Sequence, residues 1–167
     1  MKQHFYYIID FDSTFVQCEM LEELAKIALR NNPQKKEILK EIVSICNLGM
    51  EGRIPFQESL RRRLQLIKLH KNHLQTLIQS LNKNITPSIV KNRQFFLENK
   101  KNIYIISGAF KECILSITNQ FSIPENHILA NTLTYDNNGN IAGVDTLNPL
   151  AYKYGKAKAV KNLGLKG

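Results

Sequence analysis

The stretch from Phe5 to Thr14 opens with apolar and aromatic residues and ends in two carboxylates, Asp10 and Asp12. A continuous apolar run of this length is typical of a strand buried in a parallel sheet. Ligands of open parallel sheets bind outside the carboxyl ends of the strands, and residues spaced by two face the same side of an extended chain. The pattern predicts a strand that ends in two carboxylates on one side, at an edge where function is possible. Taken alone, these residues are better explained as an ordinary turn, because Asp, Ser and Thr commonly form turns and caps.

After Thr14 the apolar positions take the spacing of helices. Four amphipathic helices and no strand are predicted between residues 15 and 83, with breakers at 31–33 and at Gly49. Because no such helix can bury its stripe alone, we expect the four to pack as a small bundle. Their apolar stripes are Leu21, Leu24, Ala25 and Ala28; Ile38, Ile42, Ile45 and Cys46; Phe56, Leu60, Leu64 and Ile67; and Leu74, Leu77, Ile78 and Leu81.

Strands return after residue 83. The expected fold class is α/β: a Rossmann-like parallel-sheet core of residues 1–14 and 84–167, interrupted after its first strand by an inserted four-helix cap of residues 15–83. The elements predicted after the cap are a helix capped by Thr86 with Pro87 in its first turn, a buried strand Ile103–Ile106, a helix with Phe110, Cys113, Ile114 and Ile117 on one face, a small β-hairpin joining 128–135 to 141–144 around an Asn-Gly turn, and a basic helix Tyr154–Leu163.

The composition is that of an ordinary globular protein, with 43% hydrophobic and 22% charged residues among 167. The formal net charge is +9, but Lys and Arg are dispersed, and the densest cluster, Arg61–Arg63, has no aromatic residues interleaved. We therefore expect a solvated basic surface and no nucleic-acid partner.

No apolar run approaches the roughly 20 residues of a membrane span, and we expect no signal peptide at the start of the chain. The separated cysteines Cys18, Cys46 and Cys113 favour neither disulfides nor zinc. A cytoplasmic location is expected, and the oligomeric state stays open.

Two further polar positions complete a chemical pattern. Ser107 and Gly108 follow the predicted strand Ile103–Ile106, where a hydroxyl and a backbone N–H can bind an anion. Lys156 opens the last helix and can add a point charge for a phosphate. Singly, these are better explained by a structural turn and a surface lysine. Together with Asp10 and Asp12 they supply a nucleophile, an acid/base and two phosphate-binding groups in chain order.

At this point the sequence resembles the phosphoserine phosphatase family of the haloacid dehalogenase superfamily. Asp10-Phe11-Asp12-Ser13-Thr14 resembles the first family motif, Ser107-Gly108-Ala109-Phe110 the second, and Lys156 the third. The cap stretches 16–19, 50–56 and 59–63 also resemble that family. Ala109 departs from the usual glycine, which is tolerable unless the backbone needs positive φ or a very close approach to phosphate.

The resemblance implies a phosphomonoester hydrolase that converts O-phosphoserine to serine, a step of L-serine biosynthesis. Asp10 would attack phosphorus and form an aspartyl phosphate, and Asp12 would act as general acid and then general base. Mg²⁺ would be held by Asp10 and by the backbone carbonyl of Asp12, while Ser107, Gly108 and Lys156 would hold the phosphate oxygens.

Substrate recognition would come from the cap. By resemblance, Glu19 accepts the substrate ammonium, Arg63 pairs with the substrate carboxylate, and Met50 and Phe56 wall the site and exclude water. Without the resemblance, each residue has a plainer explanation. Glu19 suits a first helical turn, Arg63 suits a solvated helix face, and Met50 and Phe56 are common core residues.

The resemblance is incomplete in one respect. The family's fourth motif, a Gly-Asp-Gly-x-Asn-Asp stretch with an acidic magnesium ligand, does not occur in the 167 residues. The C-terminal strands of the core are therefore expected to be missing, which would leave the first strand with an unpaired edge. The open alternatives are a shortened phosphatase, the first part of a longer protein, a non-catalytic remnant that binds phosphorylated or amino-acid ligands, and a phosphatase for another small phosphomonoester.

Overall fold

A three-stranded parallel sheet lies at the centre of the structure, a computed structural model that describes residues 5–165. The strands are β1 (Tyr7–Ile9), β2 (Ile103–Phe110) and β3 (Ile128–Asn131), in the spatial order β1-β2-β3. Ile9 pairs with Ile105, so β1 and β2 end at the same edge of the sheet. Within the described residues β2 is the one strand that pairs with β1, and the predicted α/β class with a parallel sheet is confirmed.

The inserted segment is helical, as its apolar period predicts. Its helices are α1 (Met20–Ala28), α2 (Lys35–Met50), α3 (Phe56–Gln65) and α4 (Asn72–Lys83). Helix α1 packs against both α2 and α4, and α2 packs against α3, which confirms the predicted bundle. Leu24, Ile42, Leu77 and Leu81 from the predicted stripes are completely buried.

The insertion leaves and rejoins the core at one place. Val16 and Ile85 form an antiparallel bridge, and the N–H of Gln17 donates to the carbonyl of Asn84 at 2.8 Å. The two linkers are therefore hydrogen-bonded to each other. We call this pairing the linker bridge.

The rest of the chain covers the sheet. Its helices are α5 (Pro87–Lys91), α6 (Arg93–Asn99), α7 (Lys111–Thr118) and α8 (Gly155–Asn162), and an antiparallel pair, β4 (Leu133–Tyr135) and β5 (Ile141–Val144), precedes α8. Helix α4 of the insertion packs against α7, and a single apolar cluster contains buried residues from both parts of the chain, such as Leu81 and Ile114. A smaller cluster of Ile106, Leu150 and Ala159 lies between β2 and α8.

Three details of the prediction were wrong. Residues 128–131 form β3 of the parallel sheet, so the hairpin comprises β4 and β5 alone. Ser107 and Gly108 lie inside β2, because the strand continues to Phe110 before α7 begins. Thr86 occupies the N-cap position of α5 with Pro87 in the first turn, as predicted, but its side chain makes no capping hydrogen bond, and its hydroxyl donates to the carbonyl of Thr14 at 2.6 Å.

Across residues 5–165, every helix is either too short or too polar to cross a lipid bilayer.

Candidate active site

Asp10 is the first residue after β1, and both of its carboxylate oxygens have partners. Oδ1 accepts a hydrogen bond from the N–H of Phe11 at 2.8 Å. Oδ2 accepts one from the ammonium of Lys156, far away in the sequence. The Asp10 side chain is 40% exposed, so solvent and small solutes can reach it. The carboxylate is thus oriented by the backbone on one side and by a cation on the other.

Asp12 lies in a tight turn after β1. Its backbone is extended, with φ −63° and ψ 137°, whereas Ser13 beside it is left-handed with φ 52°. The carboxylate accepts a hydrogen bond from the N–H of Met20 at 3.3 Å, at the start of α1. Burial, and secondly the nearby charge of Glu19, raise the pKa of Asp12 to about 7. An ordinary aspartate is ionised at neutral pH, whereas this one exchanges its proton near neutrality.

Ser107 and Gly108 lie where β2 departs from regular pairing. The register between β2 and β3 shifts between Ile106 and Phe110, which is the mark of a bulge. Ser107 is buried, and its Oγ accepts a hydrogen bond from the N–H of Ala109 at 3.1 Å. We call residues 107–109 the β2 bend. Ala109 is not among the described residues with positive φ. An alanine is therefore compatible with the backbone conformation at this position.

Lys156 lies in the first turn of α8, as predicted, and a glycine brings that turn close to its neighbours. A Cβ at Gly155 would lie 2.0 Å from the carbonyl oxygen of Pro149, which leaves no room for any other residue. Tyr154, immediately before, has a left-handed backbone with φ 63°, an uncommon conformation for a bulky residue. The backbone at Gly155 therefore lies close to the carbonyl of Pro149, directly before Lys156, which contacts Asp10.

Glu19 is held over the turn that carries Asp12. The hydroxyl of Ser13 donates a hydrogen bond to Oε1 of Glu19 at 2.6 Å. Glu19 directly precedes α1 and makes no capping hydrogen bond with its side chain, although its charge still lies near the helix N-terminus, where the dipole favours it. Its carboxylate is exposed and lies close enough to Asp12 to influence its pKa.

Phe56 and Met50 differ sharply in their surroundings. A Cβ at Gly108 would lie 3.4 Å from Cζ of Phe56, so the tip of this cap ring lies beside the β2 bend. Met50, at the end of α2, is 81% exposed. The structure thus brings Phe56 to the core, whereas Met50 does not form a buried wall.

Arg63 is buried although its two neighbours in the basic cluster are exposed. Arg61 and Arg62 both bind the carboxylate of Glu58. Arg63 is only 9% exposed, and its Nε donates to the carbonyl of Ser59 at 3.3 Å. In the part of the chain that the structure describes, no carboxylate forms an ion pair with Arg63. Its location contradicts the plainer expectation of a solvated helix residue.

The sequence did not point to Ser13, Asn131 and Gly155, which also shape this region. Asn131 is completely buried, and its side-chain Nδ2 donates to the carbonyl of Gly108 at 2.8 Å. It ends β3 and would have been noticed as a polar residue at a strand's carboxyl end, had 128–131 been predicted as a parallel strand. Gly155 could have been noticed in the sequence, because a glycine stands directly before the candidate residue Lys156.

Proteins of known function include several whose sequences are similar to this chain. The phosphoserine phosphatase of Homo sapiens is 30% identical over 154 residues, which are 92% of this chain and 65% of that protein. The chain is thus similar to phosphoserine phosphatases along most of its length. A chloroplastic phosphoserine phosphatase of Arabidopsis thaliana is 29% identical over the same share of this chain and 50% of its own length. No protein-family model matches the chain.

Solved structures of the phosphoserine phosphatase family share the fold. A phosphoserine phosphohydrolase-like protein from Francisella tularensis is 28% identical, with a TM-score of 0.78 over 98% of this chain and 75% of that one. A substrate-bound phosphoserine phosphatase has a TM-score of 0.75 at 21% identity, a likeness of fold alone. The chain spans 65% of its human relative, so the activity of the whole relative is not transferred by this likeness.

Proposed function

We propose that this chain carries the catalytic centre of a phosphomonoester hydrolase that removes phosphate from O-phosphoserine. The observation that carries the proposal is the contact between Lys156 and Asp10, which joins the beginning and end of the chain at the carboxyl edge of the sheet. The β2 bend leaves the same edge, so a nucleophile, a cation and phosphate-binding backbone groups face one small region. A cytoplasmic location belongs to the same proposal and is supported by three free cysteines. A step in serine biosynthesis belongs to it as well, because serine would be the product of the proposed reaction.

In the proposed first step, an oxygen of Asp10 forms a bond to phosphorus while the bond between phosphorus and the serine oxygen breaks. Asp12 donates its proton to the departing oxygen, which leaves as the serine hydroxyl. In the second step, water attacks phosphorus, Asp12 takes up a proton from that water, and the bond to Asp10 breaks. Inorganic phosphate leaves, and both carboxyl groups return to their initial states.

The phosphate oxygens would be held by the β2 bend and by Lys156. Ser107 offers a hydroxyl, Gly108 a backbone N–H, and Lys156 a positive charge that also orients Asp10. A Cβ at position 108 would lie 3.4 Å from Cζ of Phe56, an ordinary contact, so the backbone of Gly108 lies directly beside this cap ring. These groups would stabilise the charge that develops on the transferring phosphoryl group.

Magnesium fits the donor chemistry of the site. Between residues 5 and 165 no three His, Cys, Asp or Glu side chains converge on a point where a metal could bind. Magnesium is, however, usually bound through one or two carboxylates together with substrate phosphate and water. Asp10, with a partly exposed carboxylate, and the backbone carbonyl of Asp12 would hold the ion. When bound, it would neutralise charge on the phosphate.

Recognition of the serine part of the substrate would fall to the cap. Arg63 is buried, and no carboxylate among residues 5–165 pairs with its planar guanidinium, which suits pairing with the substrate carboxylate. Glu19, fixed by Ser13, offers a negative charge for the substrate ammonium. Phe56 closes the approach from the cap, and Met50 would have to change its exposed position to contribute.

The test is magnesium-dependent release of phosphate from O-phosphoserine by residues 1–167. Asp10→Asn should abolish release, because an amide is a poor nucleophile. Glu98→Gln removes one carboxylate from exposed α6 and serves as the matched control, with unchanged release. Equal release by wild type and Asp10→Asn would refute the catalytic role. No release from a folded wild-type chain would instead indicate a phosphate-binding protein or an incomplete enzyme.

A further inference from the structure

The β2 bend creates a hydrogen-bonding problem for the backbone. Ile106 pairs with Leu129 and Phe110 pairs with Asn131, so four steps along β2 match two steps along β3. The residues between therefore leave the ladder, and their backbone groups need other partners. The carbonyl of Gly108 finds its partner in the side chain of Asn131, whose Nδ2 donates to it at 2.8 Å.

The same amide nitrogen also binds the segment before α8. Nδ2 of Asn131 donates to the carbonyl of Leu150 at 3.3 Å. Leu150 lies in a short helical turn, Pro149–Ala151, which we call the 149–151 turn. The close approach of Gly155 to Pro149 seats the first residue of α8 on this turn. One side chain thus connects the β2 bend to the support of the helix that carries Lys156.

Asn131 leaves its other polar atom without a partner. The residue is completely buried, and Oδ1 lacks a hydrogen bond to any described group. The amide cannot rotate to solve this, since rotation would set Oδ1 against the carbonyl oxygens of Gly108 and Leu150. A buried acceptor without a partner is unfavourable. The asparagine is therefore better explained by the two bonds that it donates than by a contribution to folding stability.

We propose that Asn131 is a positioning residue of the phosphate site. It fixes the β2 bend relative to the 149–151 turn, and so sets the separation between Gly108 and Lys156 on either side of the phosphate. Asn131 itself does not touch the substrate. The inference rests on the proposed function, because it assigns Gly108 and Lys156 to phosphate oxygens.

The first test compares Asn131→Ala with Asn148→Ala. Asn148 is the matched control: its Nδ2 donates to the carbonyl of Ala130 at 2.7 Å and its Oδ1 accepts from the N–H of Leu150 at 3.0 Å, so it ties β3 to the same turn without touching Gly108. Asn131→Ala should lower kcat about 100-fold, as expected for a shift of about 1 Å in phosphate-binding groups. KM for O-phosphoserine should change little, because Arg63 and Glu19 are unaffected. Asn148→Ala should lose thermal stability with a loss of kcat well below that of Asn131→Ala, because the bond to the carbonyl of Gly108 stays intact.

A purely structural role would make the two variants alike. Equal kcat values for Asn131→Ala and Asn148→Ala, each corrected for its folded fraction, would overturn the proposal. The same comparison with p-nitrophenyl phosphate should give the same loss of kcat in Asn131→Ala, since the positioned groups bind the phosphoryl part alone. A loss confined to O-phosphoserine would also overturn it.

A second measurement uses the wild-type chain and covers the case in which Asn131→Ala does not fold. Inorganic phosphate is titrated with magnesium present, and the NMR signals of the Gly108 N–H and of the Asn131 and Asn148 side-chain amides are followed. The Gly108 and Asn131 signals should shift together, with Asn148 unchanged. A shift of Gly108 without Asn131 would refute the positioning role alone. No shift of Gly108 would refute the phosphate site, and the positioning role with it.

Discussion

Replacement of Gly155 by alanine tests whether the close approach before α8 sets the position of Lys156. The new Cβ would lie 2.0 Å from the carbonyl oxygen of Pro149 and 2.9 Å from Cα of Leu150. Both neighbours are backbone atoms, so no flexible side chain can move aside. An ordinary carbon–oxygen contact is more than 1 Å longer, so the start of α8 must move by about 1 Å.

That movement should have two effects of different size. Overpacking of this kind costs about 1–3 kcal/mol, which lowers Tm by about 3–10 °C in a chain of this length. Lys156 is the next residue and contacts Asp10. A displacement of about 1 Å there should lower kcat for O-phosphoserine about 100-fold. The substitution at Gly155 should therefore affect the proposed chemistry through the displacement of Lys156.

The assay is thermal unfolding of Gly155→Ala together with magnesium-dependent phosphate release. Gly143→Ala is the control: its Cβ would lie 3.8 Å from Oγ1 of Thr134, an ordinary contact, and its φ is not positive. The control should keep Tm within about 2 °C of wild type, since surface substitutions of this kind change stability by about 0.5 kcal/mol or less. Wild-type kcat and Tm in Gly155→Ala would refute the packing argument. A lowered Tm with unchanged kcat would refute the link to Lys156.

Three further outcomes are expected. Arg63→Ala should raise KM for O-phosphoserine far more than for phosphoethanolamine, which lacks the carboxylate; equal changes would exclude the assigned role. Gly49→Ala should destabilise the bundle by about 1–3 kcal/mol, seen in urea unfolding, because its Cβ would lie 2.8 Å from Cβ of Ser59; an unchanged midpoint would contradict this. Burial raises the pKa of the Cys113 thiol to about 12, so at pH 8 a thiol reagent should leave it unlabelled until the chain unfolds; rapid labelling of the native protein would count against the fold around α7.

The architecture was predictable wherever the apolar period was strong. The stripes from Leu21 to Leu81 have helical spacing, and the buried strand at Ile103–Ile106 is continuous and short, so helices and strand followed from burial alone. The position of Lys156 at the start of a helix was predicted correctly, because a basic residue that begins an amphipathic pattern can be recognised from the sequence alone. The contact between Lys156 and Asp10 is a tertiary feature that was not predicted, since the family resemblance implied only that Lys156 holds phosphate oxygens.

What escaped the sequence depends on pairing between distant segments. Residues 128–130 are apolar and precede a hairpin signal, so nothing local separates a parallel strand from a hairpin arm. The β2 bend arises from a register shift against β3 and has no local signature. Asn131 matters because of that shift, and a lone asparagine in a strand is otherwise uninformative.

The linker bridge has a consequence for how such a chain can change over time. Because Val16 and Ile85 are neighbours, residues 17–84 form a side branch whose two ends meet. Insertions, deletions or replacements inside that branch need not alter the order or register of β1, β2 and β3, provided that the apolar contacts between α4 and α7 are kept. The residues proposed to select the substrate, including Glu19 and Arg63, lie on this branch, whereas Asp10 and Lys156 lie in the α/β core outside it. Descendants of this chain could therefore acquire new substrates while inheriting the same chemistry.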